Sequence, residues 1–234
     1  MLTEKKPYIL GIIPARGGSK RLPRKNVNLL GGRPLIDYVI KTGGQCDLIN
    51  ELIVSTDDKE IKQVALSCGV NVPFLRPKEL AKDSSTTEEV IKHGILYIEK
   101  SFGHAVDVVV ILQPTSPFTS ISMINKCLEL LINENWDTVV TVQEVRKRCE
   151  WIGLLEKDQR FVQIINGENY FDLFEKKEYS PSGNVYVCKR NVIFEQNKVI
   201  GENTGAIVVP DKYAIDIDRL IDFQFAEYLF KNVK

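Results

Sequence analysis

From Tyr8 to Val142 the apolar residues of this chain keep changing period, from short unbroken runs to stripes of helical spacing and back. Such alternation constrains the fold tightly. Strand–helix–strand units join neighbouring parallel strands and lay the helices over the faces of one sheet. Tyr8 to Ile13 reads as a short buried strand. Pro34 stands where a helix starts, Leu35, Tyr38, Val39 and Thr42 repeat at helical spacing, and Gly43-Gly44 are read as the stop. Leu52 to Thr56 is a second strand, and Ile61, Val64, Ala65 and Cys68 form a one-faced helix closed by Gly69. Val70 to Leu75 reads as a short third strand. Ser85-Thr-Thr-Glu88 has the spacing of a capping box ahead of the stripe Val90, Ile91, Ile95, Ile98. Val106 to Leu112, apolar and rich in β-branched residues, has the character of a central strand covered on both faces. Ile121, Ile124, Leu128 and Leu131 give the next helix, and Thr138 to Val142 the next strand.

From Gln143 to about Ser182 the periods fade among charged residues and the aromatics Trp151, Phe161, Tyr170, Phe171 and Phe174, which read as the packing of an inserted arm. Regularity returns with Gly183 to Cys188 and Gly205 to Val209. In Ala214-Ile-Asp-Ile-Asp218 the alternation puts Asp216 and Asp218 on one side of an extended segment, about 6.5 to 7 Å apart. A last helix follows, with Ile221, Phe225 and Leu229 one turn apart. With 234 residues and 44% hydrophobic content the chain has enough apolar surface for one large α/β core. The expectation is one domain over 1–234, with a mostly parallel sheet and an arm at about 143–182. The 31 basic and 31 acidic residues cancel, so no global field draws the protein to nucleic acid or a membrane surface. No run of about 18 apolar residues exists, and Met-Leu-Thr-Glu-Lys-Lys lacks the apolar core of a signal peptide, so a cytoplasmic location is expected. Cysteines 46, 68, 127, 149 and 188 show no C-x-x-C spacing and read as small buried hydrophobes in a reducing compartment.

Three segments carry the chemistry. Residues Ile12 to Asn26 place Arg16, Lys20, Arg21, Arg24 and Lys25 around Gly17-Gly18, directly after the first strand. The glycines permit a tight turn and close approach of a ligand, and the cations suit phosphate oxygens. The order matches neither the P-loop nor the dinucleotide fingerprint. Gln113-Pro-Thr-Ser-Pro117 follows the central strand, at the carboxyl edge where open α/β sheets bind ligands. Asp216 and Asp218 suit a hydrated Mg²⁺, which takes few protein carboxylates, while Asp218 also stands where it would cap the last helix. Asp57-Asp58 divides in the same way between a site and a helix cap. His93 and His104 have no partner at metal-ligand spacing and read as surface or hydrogen-bonded histidines.

Five motifs in the same order resemble the bacterial CMP-N-acylneuraminate synthetases: Ile-Pro-Ala-Arg-x-x-Ser-Lys-x-Leu-Pro-x-Lys-Asn (13 to 26), Ser-Thr-Asp (55 to 57), Arg-Pro-x-Glu-Leu-Ala (76 to 81), Leu-Gln-Pro-Thr-Ser-Pro (112 to 117) and Ile-Asp-Ile-Asp (215 to 218). The resemblance implies a three-layer α/β/α sandwich of the nucleotide-diphospho-sugar transferase kind and transfer of CMP from CTP to a nine-carbon 2-keto sugar acid. It implies a homodimer whose arm reaches over the partner's site. Arg16 and Lys25 resemble the triphosphate contacts, with Ser19 and Lys20 shaping the loop; Asn26, Arg76 and Thr87 resemble the cytidine site, Gln113 a sugar contact, and Asp216 and Asp218 the Mg²⁺ ligands. Arg16, Lys25, Asp216 and Asp218 are thus the expected catalytic set, whereas Arg21 and Arg24 read as solvated. A Kdo-type acid or a sugar 1-phosphate as acceptor, or a non-catalytic nucleotide-sugar sensor, are the competing readings. One segment departs from the family: where Arg-Pro-Asn-Gly-Ala-Ile-Tyr is common, this chain has Ser180-Pro-Ser-Gly-Asn-Val-Tyr186. Serine cannot hold a carboxylate as arginine does. Either Lys147, Arg148, Lys176 or Lys177 takes that part, or the accepted sugar differs, as a legionaminic-type acid would.

Overall fold

A computed structural model of the chain describes residues 6–145, 153–155, 160–163 and 177–232. In chain order it contains β1 (Ile9–Pro14), a ribbon of β2 (Leu29–Leu30) and β3 (Arg33–Pro34), α1 (Leu35–Gly44), β4 (Glu51–Ser55), α2 (Lys59–Ser67), α3 (Thr87–Phe102), β5 (Val108–Leu112) and α4 (Ile121–Asn133). Then come β6 (Thr138–Glu144), a ribbon of β7 (Gly153–Leu155) and β8 (Phe161–Gln163), β9 (Tyr179–Lys189), β10 (Thr204–Val208) and α5 (Leu220–Asn232). Six strands form one sheet in the order β10-β6-β9-β5-β1-β4. β1 runs parallel to β4 and β5, and β6 parallel to β10, while β9 is antiparallel to both β5 and β6 and joins the two groups.

The sheet is sandwiched. On one face Ile36, Val39 and Ile40 of α1, Ile61 and Ala65 of α2, and Ile124, Cys127 and Leu128 of α4 pack against Ile13, Val108, Val110 and Val139. On the other, Ile91, Ile95 and Ile98 of α3 meet Leu10, Ile12, Ile53, Val109 and Ile111. Each of these fully buried isoleucines contributes about 1.5–3 kcal/mol by leaving water. A third cluster, Leu22, Leu30, Leu35, Tyr38, Ile217, Phe223 and Ala226, fastens α5 to the basic loop and α1.

Several local expectations change. Gly43 and Gly44 lie inside α1. A Cβ on Gly43 would come within 2.8 Å of Leu112 and 3.0 Å of Leu52, so this glycine lets the helix approach the sheet. The third strand reduces to a bridge between Asn71 and Ile53, in a segment where Pro73 has no N–H to offer a ladder. The capping box is Thr86 with Glu89, one residue later than the spacing suggested, and Glu88 instead accepts the Val199 N–H at 3.1 Å. The inward face of α5 is Phe223, Ala226 and Leu229; Ile221 and Phe225 are exposed. This helix is apolar on several sides, so period alone does not choose its buried face. The interval 143–182 loses its ends to the sheet, since β6 extends to Glu144 and β9 begins at Tyr179. Trp151 and the aromatics at 170, 171 and 174 lie outside the described residues.

Cys46, Cys127 and Cys188 are buried free thiols, as expected, and burial pushes Cys127 and Cys188 up to about 12. Cys149 lies outside the described residues. No helix among the described residues is long and apolar enough to cross a membrane.

Candidate active site

The loops leaving the carboxyl ends of β1, β4 and β5 open together, as the order of parallel strands requires. They line a cleft of about 630 Å³. All ten residues singled out from the sequence stand on its wall: Arg16, Ser19, Lys20, Lys25 and Asn26 from the basic loop, Arg76, Thr87, Gln113, and the pair Asp216 and Asp218.

The basic loop is tied down on both sides. Asp57 Oδ1 accepts the Gly17 N–H at 3.0 Å, and the buried Asn26 donates to the Arg16 carbonyl at 3.0 Å. A Cβ on Gly17 would meet Asp58 at 2.7 Å, whereas Gly18 faces open space. Gly17 therefore makes room for an acid of its own protein, not for a ligand as the sequence suggested. Asp58 is the N-cap of α2, accepting from Glu60 N and Ile61 N, which settles its part as a cap. It also takes Arg24 at 2.8 Å, with Glu60 as that arginine's second partner. Arg24 is thus bound, not solvated, and this pairing holds the Asp58 carboxyl below its usual range. Arg21 likewise reaches Asp218, at 3.4 Å.

Lys25 and Asp218 form the inner pair. The Lys25 ammonium, 12% exposed, donates to Asp218 Oδ1 at 2.9 Å and to the Ile217 carbonyl at 2.8 Å. Asp218 does not cap α5: Asp222 accepts the N–H groups of Asp218 and Arg219, at 3.0 and 2.7 Å. The alternation of Ala214 to Asp218 is visible in the packing, with Ile217 fully buried and its N–H bonded to the Thr115 carbonyl at 2.9 Å. The two carboxylates differ in character. Hydrogen bonding to Lys25 holds Asp218 below the ordinary range, whereas burial raises Asp216, with the Asp218 charge adding and a Thr115 hydrogen bond opposing. A desolvated carboxylate beside an ionised one fits a hard cation that keeps most of its own water. Among the described residues no group of three or more His, Cys, Asp or Glu is arranged to hold a metal.

Arg76 is buried and donates to Ser55 Oγ at 3.1 Å, to the Ser55 carbonyl, and to the Leu80 carbonyl at 3.4 Å. Burial pushes it down to about 10, still protonated at neutral pH. Thr86 and Thr87 bring the positive end of the α3 dipole to the cleft. His93 is half-buried: its Nδ1 is buried without a hydrogen-bond partner while the ring packs edge-on to Phe74 at 4.6 Å. His104 stacks on Tyr8 at 5.4 Å.

A side pocket of about 300 Å³ adjoins the cleft at the shared residues Thr87, Gln113 and Tyr186, and is lined further by Glu88, Ile111, Lys198, Val199 and Ile200. Of the divergent segment 180–186, Gly183 and Tyr186 face the cleft. Ser182 and Asn184 are buried behind it. Ser182 Oγ lies 2.9 Å from Thr141 Oγ1 and 2.8 Å from Asn184 Oδ1, and the Asn184 amide donates to Thr119 Oγ1 and the Tyr213 carbonyl at 3.2 and 3.0 Å. Residues Ser182 to Val185 bulge out opposite Thr141, with Gly183 left-handed at φ 81°. The exchange of amide for hydroxyl at 182 therefore alters this internal network and not a sugar contact. Of the substitute cations, Lys177 pairs with Glu144 at 2.9 Å; Lys147, Arg148 and Lys176 lie outside the described residues. Asp83 and Lys198 on these walls were not foreseen, and Thr115 lines the cleft beside Gln113 from the segment already placed at the ligand edge. Asp83 lies two residues past a motif that was read, and Lys198 had no signal.

An α/β sandwich with a basic loop, a buried guanidinium and two acids at the carboxyl edge of its sheet is the architecture of a nucleotidyltransferase. A protein-family model described as cytidylyltransferase matches residues 10–180. The chain is 33% identical over 228 residues to the CMP-N,N'-diacetyllegionaminic acid synthase of Legionella pneumophila, covering 95% of this chain and 96% of that one. It is 31% identical over 228 residues to the N-acylneuraminate cytidylyltransferase of Escherichia coli O18:K1:H7, covering 93% of this chain and 51% of that longer one. In structure it superposes on a CMP:2-keto-3-deoxy-manno-octonic acid synthetase complexed with CTP at a TM-score of 0.68 and 16% identity, covering 96% and 98% of the two chains. The chain belongs to the cytidylyltransferase family, among the CMP-sugar-acid synthetases.

Proposed function

We propose that this protein transfers CMP from CTP to a nine-carbon 2-keto sugar acid of the legionaminate or N-acylneuraminate type, releasing pyrophosphate. The observation that carries this reading is the convergence of four separately spaced motifs on one cleft, cations and the two aspartates together, with the fifth behind its wall, where Ser55 accepts from Arg76 and Asp57 from the Gly17 N–H. Arg16 and Lys20 receive the β- and γ-phosphates. Asn26, Arg76 and Thr87 hold the cytidine, Arg76 with a guanidinium that burial has stripped of water. Gln113 and Tyr186 stand where the cleft meets the side pocket, which takes the end of the sugar acid remote from its anomeric carbon.

The anomeric hydroxyl oxygen attacks the α-phosphorus, the bond to the bridging oxygen breaks, its electron pair leaves on pyrophosphate, and the hydroxyl proton passes to water. The protein's part is alignment and neutralisation of charge. Lys25 offsets the charge that grows on the leaving group, and Asp216 and Asp218 are the residues to hold Mg²⁺, which when bound neutralises phosphate oxygens and polarises the hydroxyl. A cytoplasmic homodimer, with an arm from the segment between β6 and β9, belongs to the same proposal. The test is pyrophosphate release with CTP, UTP, GTP and ATP against a panel of 2-keto sugar acids and sugar 1-phosphates, with and without Mg²⁺. Metal-dependent release with CTP and a nine-carbon acid supports the proposal. Release only with a sugar 1-phosphate, or binding without release under every condition, overturns it.

A further inference from the structure

All five cations of the basic loop are matched to acids, but the pairs differ in how firmly they are held. Arg24 is bound to Asp58 and Glu60 outside the cleft, and Lys25 is sunk between Asp218 and a backbone carbonyl. The third arrangement lies in the open. Asp83 spans two cations, with Oδ1 2.9 Å from Arg16 and Oδ2 2.5 Å from Lys20. Its side chain is 51% exposed, against 41% for Arg16 and 79% for Lys20. Such solvated pairs are weakly held and exchange readily.

The placement of Asp83 separates two possible parts for it. An acid that orients an arginine toward a ligand sits behind the guanidinium, away from the binding space. Asp83 instead lines the cleft together with Arg16 and Lys20. Two oxygens of one anion bridging two cations is also how a phosphate would engage them. Lys20 first, then Arg16, hold the Asp83 carboxyl below its ordinary range, so it is ionised at neutral pH. A polyphosphate and this carboxylate cannot both occupy the same two cations without like-charge repulsion.

We propose that Asp83 is an internal stand-in for phosphate, which occupies Arg16 and Lys20 before nucleotide binds, gives them up to the polyphosphate of the nucleotide, and takes them back as pyrophosphate departs. This rests on reading the cleft as a polyphosphate site. It makes nucleotide binding an exchange of one anion for another, weakens the hold on pyrophosphate, and favours release of that product.

The test uses Asp83→Asn, which keeps shape and removes charge, with Asp83→Glu as the charge-keeping control and Asp83→Ala as a second neutral variant should the first fold poorly. Calorimetric titration with inorganic pyrophosphate and with tripolyphosphate is carried out at low and high salt. The neutral variants should bind both on the order of tenfold more tightly at low ionic strength, with the gap closing as salt screens the competition. Asp83→Glu should bind as the parent does. Unchanged affinity in the neutral variants shows that Asp83 does not compete, and weaker affinity shows that it orients the cations; either overturns the proposal. A parent protein that binds no polyphosphate overturns both this and the functional reading. Turnover with CTP is scored separately: tighter pyrophosphate binding without any CMP transfer in the parent leaves Asp83 as proposed and defeats the reaction.

Discussion

Replacing Lys25 by methionine keeps the four-atom stem and deletes the ammonium, which separates two contributions that the structure assigns to one side chain. That ammonium bridges the basic loop to the Ile217 carbonyl and the Asp218 carboxylate, at 2.8 and 2.9 Å. A hydrogen bond to a charged group is worth about 1.5–3 kcal/mol, and Asp218, half exposed, recovers part of it from water, so Lys25→Met should cost about 1–3 kcal/mol of stability. In a domain of this size that lowers Tm by about 2–12 °C. The effect on chemistry should be larger. Losing a donor aimed at developing charge lowers turnover on the order of 10²–10³-fold. Thermal melts and pyrophosphate release at saturating CTP measure the two effects on the same preparation. Asp218→Asn and the double variant close a cycle whose stability coupling should be about 0.5–3 kcal/mol for groups in contact. Turnover within about threefold of the parent, alongside the expected drop in Tm, would refute the catalytic part and leave Lys25 as a strut for the aspartate segment.

Gly183→Ala puts a Cβ at φ 81° and 3.0 Å from Ser116 Oγ, and should cost about 1–2 kcal/mol in a denaturant titration. Asn184→Ala leaves the Tyr213 carbonyl without its side-chain donor and takes one donor from Thr119 Oγ1, which keeps its own bond to the Ser116 carbonyl, with an expected loss of about 2 kcal/mol by the same measurement. Asp58→Asn keeps the helix cap and loses the charge pair with Arg24. The native pKa of Asp58 is depressed, so the parent's advantage is full above the unfolded carboxyl value of about 4 and disappears as pH falls through the lower native one; stability curves of the two proteins should converge there. Lys198→Ala should change the ranking of sugar acids in a kcat/KM panel while leaving KM for CTP near the parent value.

The layered fold was legible because the runs around Ile9–Pro14, Val108–Leu112 and Thr138–Val142 and the helical stripes between them each follow one period. That the ten residues singled out would share one cleft was legible mainly through motifs near the carboxyl edge of the sheet, where topology gathers what the sequence separates. What stayed hidden depends on tertiary partners. Nothing local says that Gly17 accommodates Asp58, or that Asn184 turns inward to Thr119 and Tyr213. Period likewise could not choose the buried side of α5, where apolar residues occur on several faces. Lys198 reaches the side pocket because Glu88 grips the next residue's N–H, a contact across 111 positions that spacing cannot carry.

The place of β9 in the sheet has a consequence for the order of assembly. It lies between β5 and β6, pairing antiparallel with each, so the group β4-β1-β5 and the group β6-β10 make no ladder with one another. During synthesis the first group can pair as soon as Leu112 has emerged, and it already carries the loop cations and Arg76. The gap beside β5 persists until the chain has been made as far as Lys189, and closing it means joining strands far apart in sequence, a slow step by the entropy of long loops. A nascent chain halted before that point would therefore show an apolar β5 edge open to pairing with other chains, the state in which this protein is most exposed to aggregation.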